Sequence, residues 1–164
     1  MILYHGTTLE IPTPQIIRQE VGRDFGFAFY TTDIKSQAER WAVRRAKISS
    51  RISKTPVKPM VNVYDWNPET LLRVKAFDGP SLEWLDMVVK CRSDLSFHHP
   101  YDIVIGKIAN DNVGETVGYV VQGIMRREDA VERLKFEQIN NQLAFCTEAA
   151  LKELRFLYAY EVGE

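Results

Sequence analysis

NQLAFCTEAALKELRFLYAYEV, residues 141–162, decides the fold class. "QLAFC" is short and apolar and reads as a buried strand. Thr147 then stands where an N-cap belongs, in front of the helical run "EAALKEL". "RFLYAYEV" is rich in aromatic and aliphatic residues and closes the chain as another strand. At the other end "MILYHG" reads as a strand ending at Gly6. Strands at both termini, with helices scattered between them, do not alternate as βαβ units do. The pattern therefore predicts α+β with mixed or antiparallel sheets.

The intervening chain fits that class. "DFGFAFYTT" (24–32) predicts a short strand leaving a turn. Thr32 or Asp33 is expected to cap a helix over 33–50, with Ile34, Ala38, Trp41 and Arg45/Ile48 on its inner stripe. The basic, Pro-bearing stretch 50–59 reads as a loop. "MVNVYDW" and "TLLRVKAF" read as two strands joined through "NPE". Ser81 is expected to cap a helix through Arg92, and "DIVIG" reads as a further strand. Helices follow at 113–124, with Gly123 as a stop, and at "REDAVERLK".

The 164 residues fit one domain, 1–164, with enough chain for a proper core. A net charge of −1 gives no global reason to bind nucleic acid or membrane. The two cysteines, Cys91 and Cys146, lack metal-ligand or redox-motif spacing, so reduced thiols in a cytoplasmic protein are expected. Neither a signal peptide nor a membrane span is expected. The histidines are His5, His98 and His99. Adjacent His98 and His99 would point to opposite faces of an extended chain, so no metal site is expected and both read as solvated. Walker, Rossmann and nucleophile-elbow motifs are all missing.

Three separated stretches remain: "LYHGT", "DFGFAFYTT…SQAERW" and "NNQLAFCTEAALKEL". Taken singly, each has a structural account: a satisfied strand-end His, core aromatics, a buried strand. Together and in this order they resemble the ADP-ribosyltransferase superfamily in its His-Tyr-Glu branch. His5-Gly6-Thr7 matches the opening His-Gly-Ser/Thr. Gly26, Ala28 and Tyr30 match a Gly-x-Gly-x-Tyr strand with Ala in place of the second Gly. Gln142 stands where that branch carries its catalytic Glu. "YDIVIGKIANDN" (101–112) further resembles a bacterial family of that superfamily.

The resemblance implies two small, mostly antiparallel sheets forming an NAD cleft flanked by helices. It implies NAD as the substrate, with no metal, and a single ADP-ribose passed to a macromolecular acceptor, protein or nucleic acid. Catalytically weak NAD or ADP-ribose binding through a protein partner is the alternative. A toxin role with a small antitoxin partner is implied by the same likeness. Gly6 would offer its peptide to the nicotinamide carboxamide, since no side chain obstructs approach. His5 would hydrogen-bond a ribose hydroxyl with support from Thr7. Tyr30 would stack on the nicotinamide, an interaction of ~0.5–1.5 kcal/mol. Trp41 is either a second wall or a core residue. Gln37 lies near the position where relatives contact the carboxamide.

Gln142 would accept a hydrogen bond from the ribose, but without the charge that stabilises an oxocarbenium-like ribose. Losing one such stabiliser forfeits roughly 10²–10³ in rate. Asp111 and Glu148 are the compensating carboxylates the sequence offers. Their structural readings are helix capping and a favourable first-turn charge. The basic run 44–59 reads as a solvated surface, with contact to an acidic target as the alternative.

Overall fold

The computed structural model describes residues 1–18, 23–107, 111–134 and 141–163; the side chains of 111–113 are outside that description. Two small sheets with helices on their faces confirm the α+β reading. The first sheet has three antiparallel strands in the order β1-β3-β7: β1 Ile2–Thr7, β3 Met60–Asp65 and β7 Arg155–Glu161. The second has the order β2-β6-β5-β4: β2 Phe29–Thr31, β6 Asn141–Phe145, β5 Ile103–Lys107 and β4 Val74–Ala76.

Helix α1 (Lys35–Ser53) packs on β1 and β3. Its buried residues are Gln37, Ala38, Ala42 and Ala46, while Ile48 is 48% exposed. The expected stripe through Trp41, Arg45 and Ile48 is therefore corrected to a stripe of alanines at four-residue spacing. Gly6 supplies the reason. A Cβ placed there would lie 2.1 Å from the Ala38 carbonyl oxygen and 2.9 Å from the Ala42 nitrogen. Only small residues let the helix backbone come this close to the strand.

Helix α2 (Leu82–Ser93) begins as expected, with Ser81 Oγ accepting from the Trp84 N–H. It buries Trp84, Leu85 and Val88 against Phe25, Ala28, Tyr30, Val104 and Ala144. Helices α3 (Asp111–Val121) and α4 (Arg127–Leu134) complete that cluster with Val117, Ala130 and Leu134. The opposite face of the second sheet builds another core. There Phe29, Ile103, Leu143 and Phe145 meet Leu3, Tyr64 and Trp66 from the first sheet and its edge. Helix α5 (Glu148–Leu151) adds Ala150 and Leu151. Strand β6 thus alternates, with Leu143 and Phe145 on one face and Ala144 on the other.

Several boundaries differ from the sequence reading. The strand expected over 24–32 contracts to β2, because Gly26 sits at φ +83° in a turn. Helix α1 runs to Ser53 and ends with Lys54 in the left-handed region, so the loop begins later than residue 50. The residue at the N-cap of α1 is Ile34, which makes no side-chain cap bond, and Thr32 Oγ1 accepts from the Ile34 N–H just before the helix. Helix α5 is a single turn, capped by Thr147 as expected. The stretches joined by "NPE" are not sheet partners: β3 lies in the first sheet, and β4 pairs in parallel with β5. Thr70 and Trp66 both donate to the Glu153 carboxylate, which holds that connection against the α5–β7 turn. Gly123, at φ +74°, follows the end of α3 as expected of a stop. Among the described residues, no helix is long and apolar enough to cross a membrane.

The contact at Gly6 predicts opposite outcomes for two glycine substitutions. Gly6→Ala forces a methyl into helix backbone and should destabilise the fold by about 3 kcal/mol in urea unfolding. Gly118→Ala in α3 meets nothing within 4 Å and should instead stabilise by ~0.5–1 kcal/mol.

Candidate functional site

The two sheets touch edge to edge between β1 and β2, and the contact is one rung long. Tyr4 N–H donates to the Thr32 carbonyl (2.8 Å), and Thr32 N–H returns to the Tyr4 carbonyl (2.9 Å). Two residues along, an antiparallel ladder would join Gly6 to Tyr30. That rung does not form. The Tyr30 carbonyl is taken by His5 Nδ1 at 2.6 Å. By strand alternation the N–H and C=O of Gly6 face the same edge as those of Tyr4. Among the described residues no backbone hydrogen bond across that edge uses them. The two strands thus share a single rung, and among the described residues the Gly6 peptide has no backbone partner on the β2 side.

A carbonyl only accepts, so His5 Nδ1 carries the proton and Nε2 presents a lone pair. Phe29 stacks on the ring, with centroids 4.2 Å apart and planes at 28°. Burial lowers the His5 pKa to about 4, and the charges of Arg45 and Arg23 push in the same direction against the Tyr30 hydrogen bond. The ring is therefore neutral at physiological pH, an acceptor at Nε2 with two guanidinium groups in its field. Arg45 comes from α1 and Arg23 from the turn before β2. The Arg23 guanidinium also lies 5.4 Å from the centre of the Tyr30 ring.

Tyr30 and Gln142 come together through a residue that the sequence reading did not single out. Asp24 is buried, at 6% exposure, and sits within the electrostatic reach of the Tyr30 hydroxyl. Its Oδ2 accepts from Gln142 Nε2 at 3.1 Å, and its Oδ1 accepts from Arg92 Nε at 2.7 Å. Arg92 approaches to 2.5 Å through its terminal nitrogen, completing an ion pair at the end of α2. The Lys107 carbonyl also accepts from Gln142 Nε2, at 3.4 Å.

The turn that presents Asp24 is tied down from several sides. Tyr30 Oη accepts from the Phe25 N–H (3.1 Å) and donates to the Gly26 carbonyl (2.5 Å). His99 Nε2 donates to the Phe25 carbonyl at 2.8 Å, while its Nδ1 accepts from the Tyr101 N–H. The Phe25 ring fills the space a Cβ on Gly106 would need, and Gly106 pairs with Gln142 across β5–β6. His99 is thus a partly buried tether rather than a solvated loop residue; His98 is exposed, as expected.

Other expected site residues fall in different places. The Tyr30 ring is 7% exposed and belongs to the core under α2, with Arg23 over it, so it presents no open stacking face. Burial raises its hydroxyl pKa well above 10. Gln37 is a clasp: its Nε2 donates to the Asn141 carbonyl (2.9 Å) and its Oε1 accepts from the Asn141 N–H (3.3 Å). Both ends of that amide serve to fix the start of β6. Trp41, one turn further along α1, is half-buried and belongs to none of the three core clusters. Thr7 is buried at the end of β1, opposite Met60. Glu148 is exposed beyond the far end of β6, which leaves it the first-turn role in α5. Asp111 opens α3, but its side chain lies outside the described residues.

Among the described residues no three His, Cys, Asp or Glu side chains converge as metal ligands would. Cys91 and Cys146 are free thiols, and burial pushes both up to about 12. Asp24 carried a readable signal, since it opens the turn with Gly26 two residues on. Arg45 lies in the basic run 44–59, whereas nothing in the sequence points to Arg92.

The chain belongs to a family described as "Protein of unknown function (DUF3990)", whose model matches residues 1–156. No curated protein and no solved structure matches it.

The His5 environment predicts a pH dependence. The unfolded chain takes up a proton near pH 6.5, whereas the folded ring resists it down to about 4. Stability should therefore fall by roughly 1–3 kcal/mol as pH drops through that window. His99, lowered by burial as well, adds to the same trend. Urea unfolding at pH 7, 6, 5 and 4 should show a flatter profile for His5→Gln than for the unsubstituted chain.

Proposed function

We propose that this chain is a mono-ADP-ribosyltransferase that cleaves NAD and passes one ADP-ribose to a macromolecular acceptor. The observation that carries the reading is the interrupted ladder between β1 and β2. The Gly6 peptide, which has no backbone partner on that side among the described residues, lies next to a neutral His5 and within a field of two arginines. A primary carboxamide needs one donor and one acceptor held side by side, and a strand-edge peptide provides both. A ribose hydroxyl needs an acceptor, and His5 Nε2 is one. A diphosphate needs fixed positive charge, and Arg23 and Arg45 bring it.

The chemistry breaks the bond between the ribose and the nicotinamide nitrogen. Nicotinamide leaves with the bonding electrons, and the acceptor's nucleophile adds to the ribose carbon and loses its proton. Gly6 fixes the leaving group, His5 and Gln142 take ribose hydroxyls, and the arginines offset the diphosphate. Stacking of Tyr30 on the nicotinamide requires Arg23 to move from the ring toward the diphosphate. The three-block likeness to the His-Tyr-Glu branch supports an ADP-ribosyltransferase-like arrangement of the sheets. A toxin role with a small antitoxin protein as partner rests on that likeness alone.

One observation favours a second reading, an NAD- or ADP-ribose-binding module that acts through a protein partner. Gln142 carries no charge, is 3% exposed and already spends its amide N–H₂ on Asp24. Calorimetry and a labelled-NAD assay separate the two. The transferase reading expects saturable NAD binding, weakened roughly tenfold by His5→Ala as one hydrogen bond is lost. It also expects nicotinamide release and label transfer to lysate macromolecules. Binding without release would favour the module, and no binding at millimolar NAD would overturn both.

A further inference from the structure

Position 142 holds an amide where the transferase reading wants a carboxylate, and the buried carboxylate beside it is Asp24. Both groups bonded to Gln142 Nε2, the Asp24 carboxylate and the Lys107 carbonyl, can only accept. They fix the amide with its N–H₂ inward and leave Oε1 turned away from both. Asp24 cannot adjust easily. Arg92 holds its other oxygen, and its turn is bonded to Tyr30 and His99 and packed on Gly106.

We infer that Asp24 is the positioning residue for Gln142, so that the two side chains work as one unit. Asp24 carries the negative charge, and the amide presents it as an oriented, polarised acceptor toward a ribose hydroxyl. This rests on the transferase reading for the identity of the hydroxyl, but the pairing itself stands on geometry alone. It also explains why residue 142 is Gln. A Glu there would set two carboxylates about a hydrogen-bond length apart on the side of Asp24 that Arg92 does not occupy, and like charges so close cannot both ionise.

The test is a double-substitution cycle on the full chain: Asp24→Asn, Gln142→Glu and the two combined. At pH 7.5 each single change should lower the thermal midpoint, by several degrees for Gln142→Glu. The combined variant, with one carboxylate and one amide restored, should recover at least half of that loss. Gln142→Glu should also regain stability as pH falls from 7.5 to 5.5. Its folded carboxylate pair holds a proton that the unfolded chain gives up, so the penalty grows with rising pH. Additive effects, or a Gln142→Glu midpoint that stays at the wild-type value at all pH, would overturn the pairing.

Nicotinamide release reads the catalytic half. Asp24→Asn should lower kcat by roughly 10²-fold with little change in KM. The combined variant should regain at least tenfold over Asp24→Asn, a rescue that a purely structural role would not give in kcat at a temperature where all four proteins are folded. An active wild type with an equally active Asp24→Asn would overturn this inference alone. Coupled stabilities with no release from any of the four, wild type included, would overturn the transferase reading and the catalytic half with it.

Discussion

The hydrogen bond from His5 to the Tyr30 carbonyl ends the ladder between the two sheets, and the rest of the site depends on it. One rung earlier, Tyr4 and Thr32 exchange backbone bonds as neighbours in a single sheet would. At the next rung an imidazole takes the carbonyl instead of the Gly6 amide. The ladder stops there, and among the described residues the Gly6 peptide has no backbone partner on that side. A buried unpaired carbonyl would cost about as much as a lost hydrogen bond. The ring therefore makes it possible for the ladder to stop without orphaning Tyr30.

Close packing on the far side of β1 holds that edge in place. The α1 backbone sits where a Gly6 side chain would be, and Ala38, Ala42 and Ala46 keep the helix near the sheet. Gln37 then reaches from the same helix to both backbone groups of Asn141 and fixes the start of β6 next to Gln142. One helix thus ties the two sheets together. Gly6 accordingly has two roles: its missing side chain admits the helix, and its peptide lines the edge.

Electrostatics divide the site into two parts. Around His5, burial and two arginines keep the ring neutral and the field positive. Around Gln142, a buried carboxylate meets the Arg92 guanidinium and the Gln142 amide. Tyr30 belongs to both, since its carbonyl serves His5 and its hydroxyl holds the turn that carries Asp24. A change at Tyr30 would disturb both parts at once.

Local pattern in the sequence determined the α+β class, the terminal strands, the caps at Ser81 and Thr147 and the stop at Gly123. Each depends on residues within a few positions of one another, where propensity and hydrogen-bonding reach are short-range. The sequence also singled out His5, Gly6, Tyr30 and Gln142. It misjudged the α1 face, because a stripe of alanines is weakly hydrophobic and acquires meaning only from the glycine opposite. It reads two strands joined through "NPE" but not which sheet each enters, because sheet partnership is a contact across the chain rather than along it. Only the tertiary structure decided which carboxylate stands beside Gln142. Asp24, Arg92 and Gln142 are widely separated in sequence, and a buried charge is fixed by whichever partners the fold brings within hydrogen-bonding distance.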